Sequence, residues 1–243
     1  MFRRLGAITP ALKQIFLQAY LSITPLTRSN HPESVNRLLD DPFFKLCILS
    51  QEMPVGRHFL TLYEFATLSC PAEVILHLCF IDRLIFALMT DYREVFIQDV
   101  LAVKSSNTPL IFQRSAAAWS THPKNYYQAE QMVTLAGELL LGKSLDYAWC
   151  HLAIQAGQLK RILQAVQSQD MSMMAEMVLL CHEQVTALEV DWLAWEDPFI
   201  LGCDPATLKN EREQSGQETL KRFSYTLPML QRIVEYKSKS LEN

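Results

Sequence analysis

Glycine supplies only 7 of the 243 residues, and this scarcity narrows the choice of fold more than any other feature of the chain. Sandwiches, barrels and nucleotide-binding α/β folds need glycine at tight turns and phosphate loops. The plentiful Leu, Ala, Gln, Glu and Met residues favour helix instead. An all-α architecture is therefore the expectation, with helix starts marked by Pro10, Pro32, Pro54 and Pro71.

Helical periods fill the chain between these signals. From Val55 to Leu68, the residues Phe59, Leu62, Tyr63 and Ala66 recur at spacings of three and four and form one apolar stripe. Val74 to Met89 is apolar nearly all round and reads as the central helix of a bundle. Asp82 and Arg83 break this run, which is too short to cross a bilayer, so membrane insertion is not expected. Asp91 to Lys104, Leu110 to Trp119 and Tyr126 to Leu141 complete five helices, the last with Met132, Leu135, Leu139 and Leu140 pointing inward. Helical patterns continue from about Ala148 to Ser168, Met171 to Val190 and Gln217 to Lys237, around an irregular stretch from Asp191 to Pro205.

Charge and cysteine usage exclude further classes. The formal net charge is −4 and the Lys and Arg residues are scattered, so nucleic acid is not an expected partner. The cysteines show neither CxxC spacing nor a disulfide rhythm, as expected of an intracellular protein of cytoplasm or nucleus. Lys13, Gln14 and Gln18 interrupt the apolar start and speak against a secretory signal.

One stretch carries a resemblance. Phe59-Leu60 opens a helix, Ser69-Cys70-Pro71 forms a turn, and Val74 leads into Phe80-Ile81-Asp82-Arg83-Leu84. This resembles the cyclin box, closest to the single-box P-type and U-type cyclins, over about Pro54 to Tyr147. The resemblance implies a five-helix box that binds a protein kinase of the cyclin-dependent type and holds it active without adding a catalytic group. It implies a structural role for Asp82 and Arg83, which could pair internally. It gives Lys104, in Leu101-Ala102-Val103-Lys104, and Glu138 the role of partner-binding charges, with Phe96, Val100 and Leu141 as apolar surface between them. Keeping Asp146 in register places Ala136 where the family has its glutamate, so Glu138 fits only with a short deletion.

Signs of chemistry are few. The six histidines fall in no HExxH or similar spacing, and no catalytic residue, metal ligand or cofactor is expected. Asp191 to Phe199, with Trp192 and Trp195, reads as a docking segment or as a staple for an irregular tail. Met171, Met173, Met174 and Met177 read as core filler or, less commonly for methionine, as an adaptable binding face.

The sequence thus suggests an N-terminal helical extension over 1–53, a cyclin-like box over 54–147 and a C-terminal helical region over 148–243. A cyclin-like, kinase-binding regulator is the expected function. A helical adaptor or secreted bacterial effector with a cyclin-like fold is one alternative. The other is a helical enzyme with a small apolar substrate, in which Tyr126 and Tyr127 or a histidine line a pocket. A deep cavity holding His77 or His182 would favour that enzyme, and a filled five-helix core would count against it.

Overall fold

The computed structural model describes residues 1–103 and 107–242 and corrects the all-α expectation, because the chain builds two β-sheets among its helices. The N-terminal part runs α1 (Phe2–Ile15), β1 (Ala19–Ile23), α2 (Pro25–Asn30), α3 (Pro32–Asp40) and β2 (Phe44–Ile48). β1 and β2 pair in parallel, Ala19 opposite Phe44 through Ile23 opposite Ile48. Thr24 caps α2 by accepting from the Thr27 amide at 3.1 Å, just ahead of Pro25 in the first turn.

α4 (Val55–Leu68) spans the residues that its apolar period marks out. The expected central helix from Val74 to Met89 instead splits into β3 (Ile75–Cys79) and α5 (Ile81–Met89), with Phe80 in extended conformation between them. α6 (Arg93–Ala102) leads to the second split, where the expected helix from Leu110 to Trp119 becomes β4 (Leu110–Arg114) and α7 (Ala116–Thr121). α8 (Lys124–Leu141) follows, and then β5 (His151–Gln155) runs straight into α9 (Ala156–Ala165). α10 (Met173–Leu180) and β6 (Thr186–Val190) share the stretch expected to be a single helix. A 3-10 turn at Asp191–Leu193, α11 (Asp197–Leu201), α12 (Pro205–Gln214) and the long α13 (Gly216–Glu242) complete the order.

The larger sheet has the order β3-β5-β4-β6, with β5 antiparallel to both neighbours and β4 parallel to β6. Helices cover both of its faces. On one face Leu76, Leu78, Ile111, Leu152 and Ile154 pack with α4, α9, α10 and α13. On the other, Phe112, Ala153 and Val190 pack with α1, α5, α6 and the 3-10 turn. Strands buried on both faces read as unbroken apolar runs, and a short apolar run has no period that separates it from a buried helix. That is why β3, β4 and β5 were legible only as pieces of helices, whereas β6 is exposed at four of its five positions and merged with the helical pattern of α10. Little glycine is needed because Ser115, which accepts from the Ala118 amide, and extended Phe80 or Gln155 make the strand-to-helix turns. Among the described residues, positive φ occurs only at Gly142 and Gly202, where α8 and α11 end.

Candidate functional site

A cavity of about 1290 Å³ penetrates the molecule between α4, β3, α8 and α13. Its apolar lining comes from the inward stripe of α4, including Phe59, Leu62, Tyr63 and Ala66, with Met174 and Met229 from α10 and α13. Ligand sites commonly have volumes of about 300–1,000 Å³ and combine such apolar walls with a few convergent polar groups.

The polar lining is a chain of ion pairs, a cation–π contact and a hydrogen bond, with the Arg83–Glu196 pair standing apart from it. Arg114 ends β4 and donates from Nε and Nη2 to both carboxylate oxygens of Asp146 at 2.9 Å each. Its Nη2 also lies 2.6 Å from Glu130 on α8. Glu130 in turn meets Arg222 of α13 at 3.4 Å, and the Arg222 guanidinium stacks 3.6 Å over the Tyr126 ring. Tyr126 donates its hydroxyl hydrogen to Glu218 at 2.6 Å, and Glu218 pairs with Arg212. Arg83 pairs with Glu196 and donates to the Ala194 carbonyl at 3.1 Å. The Trp119 ring centroid lies 3.7 Å from the Arg114 guanidinium, a cation–π contact.

Burial and pairing compete at each charge. Burial opposes the charge on Arg114, but Asp146 and Glu130 outweigh it and raise the guanidinium above its ordinary value. Burial lifts the Asp146 carboxyl, against the pull of Arg114. Burial likewise pushes Glu196 up to about 7, with Arg83 opposing, so this cavity-lining carboxyl can take or release a proton near neutral pH. Cys150 also faces the cavity, but burial pushes its thiol up to about 11, which leaves it protonated and a poor nucleophile.

A second polar cluster stands on β3 and β5. His77 and His151 are diagonal neighbours across the strand pair, and their Nε2 and Nδ1 atoms lie 2.8 Å apart. Phe112 stacks on His77, and Phe96 and Trp192 stand edge-on to His151. Burial lowers His77 to about 4, and it lowers His151 as well, with His77 and Arg83 adding to the effect. His77 opens onto the large cavity. Among the described residues no group of three or more His, Cys, Asp or Glu side chains is placed to hold a metal ion.

The residues singled out from the sequence are dispersed. Lys104 lies outside the described residues. Glu138 is exposed on α8, Leu141 is half-buried at its end, and Phe96 and Val100 are buried in the core, so the latter two present no exposed apolar surface. Arg83 is buried and pairs with Glu196 rather than with its neighbour Asp82, which also lines the cavity. Met132, Leu135 and Leu139 of α8 face outward instead of inward. Trp192 and Trp195 are buried, so Asp191 to Phe199 staples the tail, and Met173, Met174 and Met177 fill core. Sequence reasoning had no signal for Arg114, Glu130, Glu196 or Arg222. Their partners lie far along the chain: 32 residues from Arg114 to Asp146 and 92 from Glu130 to Arg222.

No family model, no curated protein and no solved structure matches this chain. No helix among the described residues is long and apolar enough to cross a membrane.

Proposed function

We propose that the protein binds a small amphipathic anion in the large cavity, with the apolar body against α4 and β3 and the acidic head at the ion-pair network. The observation that carries this reading is the continuity of an apolar cavity of about 1290 Å³ with a network that still holds unused donors. Arg212 Nε and Arg222 Nε are buried without a hydrogen-bond partner, and both residues line the cavity. Unused donors call for a carboxylate or phosphate head, because an acceptor-rich group satisfies guanidinium geometry bidentately. His77 and Tyr126 line the same space, which is the arrangement that favours the small-substrate alternative over a filled helical core. Glu196 gives the site a group able to exchange a proton with a bound molecule.

Displacement of an environment-sensitive dye by alkyl carboxylates, alkyl phosphates, alkyl amines and alcohols of matched chain length tests the reading. The acids should displace the dye, and Leu62→Trp, which fills the apolar part, should abolish displacement. Equal displacement by amines and acids, or none by any member of the series, would refute it. The cyclin resemblance makes kinase binding the rival, and a pull-down with a panel of cyclin-dependent kinases tests it directly: stable capture that Leu62→Trp leaves intact would favour the rival.

A further inference from the structure

A second cavity, of about 410 Å³, lies where β4, α7, α8 and β6 meet, and Arg114 borders it as well as the large one. We propose that this second cavity binds a neutral sugar ring, independently of any ligand in the first.

The floor carries no free positive charge. Arg114 is held bidentately by Asp146 and again by Glu130, so its charge is balanced before any ligand arrives. An anion would have to break that set of buried pairs, which is costly because it strands a carboxylate. The polar groups that remain free are neutral: the side chains of Gln131, Thr134 and Ser144 both donate and accept. Gln113 donates its amide to Glu189 at 3.5 Å, which fixes the orientation of the side chain and leaves its buried Oε1 with no partner. A ligand whose groups both donate and accept, as hydroxyls do, matches this mixed lining, and its donors can reach the Gln113 acceptor that phosphate or carboxylate would leave unpaired.

The remaining wall is aromatic. Trp119 covers Arg114, and Tyr127 stands edge-on to it with ring centroids 5.3 Å apart and with 41% of its own surface exposed. An aromatic edge beside neutral hydrogen-bonding groups such as Gln131 suits a ring with one apolar C–H face and a rim of hydroxyls. The volume is at the lower end of ligand sites and fits a mono- or disaccharide.

Saturation-transfer NMR with the full-length protein, against neutral hexoses, their disaccharides, uronic acids, inorganic phosphate and a neutral nucleoside, tests the proposal. At least one neutral sugar should receive saturation, and calorimetry should show about tenfold weaker binding after Gln113→Met and after Tyr127→Ala, with thermal unfolding close to wild type. Leu62→Trp should leave sugar binding unchanged, which separates this site from the large cavity. No transfer to any neutral sugar overturns the proposal. So does binding confined to phosphate, uronic acids or the nucleoside, or sugar binding that neither variant weakens.

Discussion

Two polar clusters are buried in the same sheet and are kept there by opposite means. Around Arg114 every charge has a counter-charge within hydrogen-bonding distance, and the cluster survives burial because it is paired. Around His77 and His151 there is no counter-charge, only each other and a cage of aromatic rings, and the cluster survives because it stays neutral. A buried polar group can thus be accommodated by balancing its charge or by never acquiring one. The two solutions fail under different insults. The first breaks when a partner is removed, and the second when protons are added.

The largest effect should come from stranding Arg114. Asp146→Ala leaves a buried guanidinium short of its bidentate partner and should cost about 3–5 kcal/mol in urea unfolding. Replacing both partners, as Arg114→Met with Asp146→Leu, should recover most of that loss, since no charge is left unpaired. If the double variant is as unstable as the single, pairing is not what holds this cluster.

Acidification should act on the other cluster. The folded-state pKa of His77 is lowered to about 4, so its contribution to stability is present above the unfolded value of about 6.5 and is lost as pH falls through about 4. The difference corresponds to about 3 kcal/mol. Glu196 has the opposite sign: its pKa is raised to about 7, so its contribution is present below about 4.5 and is lost as pH rises through about 7. The two windows overlap with opposite sign, and His151, lowered by the same burial, adds to the side of His77. Glu196→Gln should therefore make stability fall more steeply between pH 6.5 and 4, and His77→Phe should make the fall shallower, each read from urea midpoints across that range. Parallel profiles for the two variants would show that neither group titrates as its surroundings dictate.

The smallest effect should be found where the ion-pair network approaches water. Tyr126→Phe removes a 2.6 Å hydrogen bond to Glu218, whose partner Arg212 is partly exposed, and should cost about 1 kcal/mol. A loss as large as that of Asp146→Ala would mean that the network is one cooperative unit rather than graded by depth.

What could be read from the sequence follows the same physics. α4 was legible over its full length, because one of its faces meets the core and the other does not, so its period survives in the residues. β3 was not, because both of its faces are covered and Ile75 to Cys79 fuses with the apolar start of α5. The resemblance to a cyclin rested on that fused stretch, where Phe80 to Leu84 marks the passage from strand to helix and not the end of a central helix. Arg83 and Asp146 attracted notice in the sequence, yet their partners Glu196 and Arg114 lie on other elements and could not be named from spacing. Charge pairs between distant segments leave no periodic trace.

The position of α13 has a consequence for how the molecule is made. β3 must wait for β5, with His77 and His151 separated by 74 residues, before the sheet exists at all. Arg222, Thr226 and Met229 then arrive on α13 and supply the last wall of the large cavity. During synthesis from the N-terminus the apolar lining formed by α4 stays open to water until that helix emerges. A nascent chain halted before α13 would expose this surface, so the emergence of that helix decides when the apolar lining is withdrawn from chaperones.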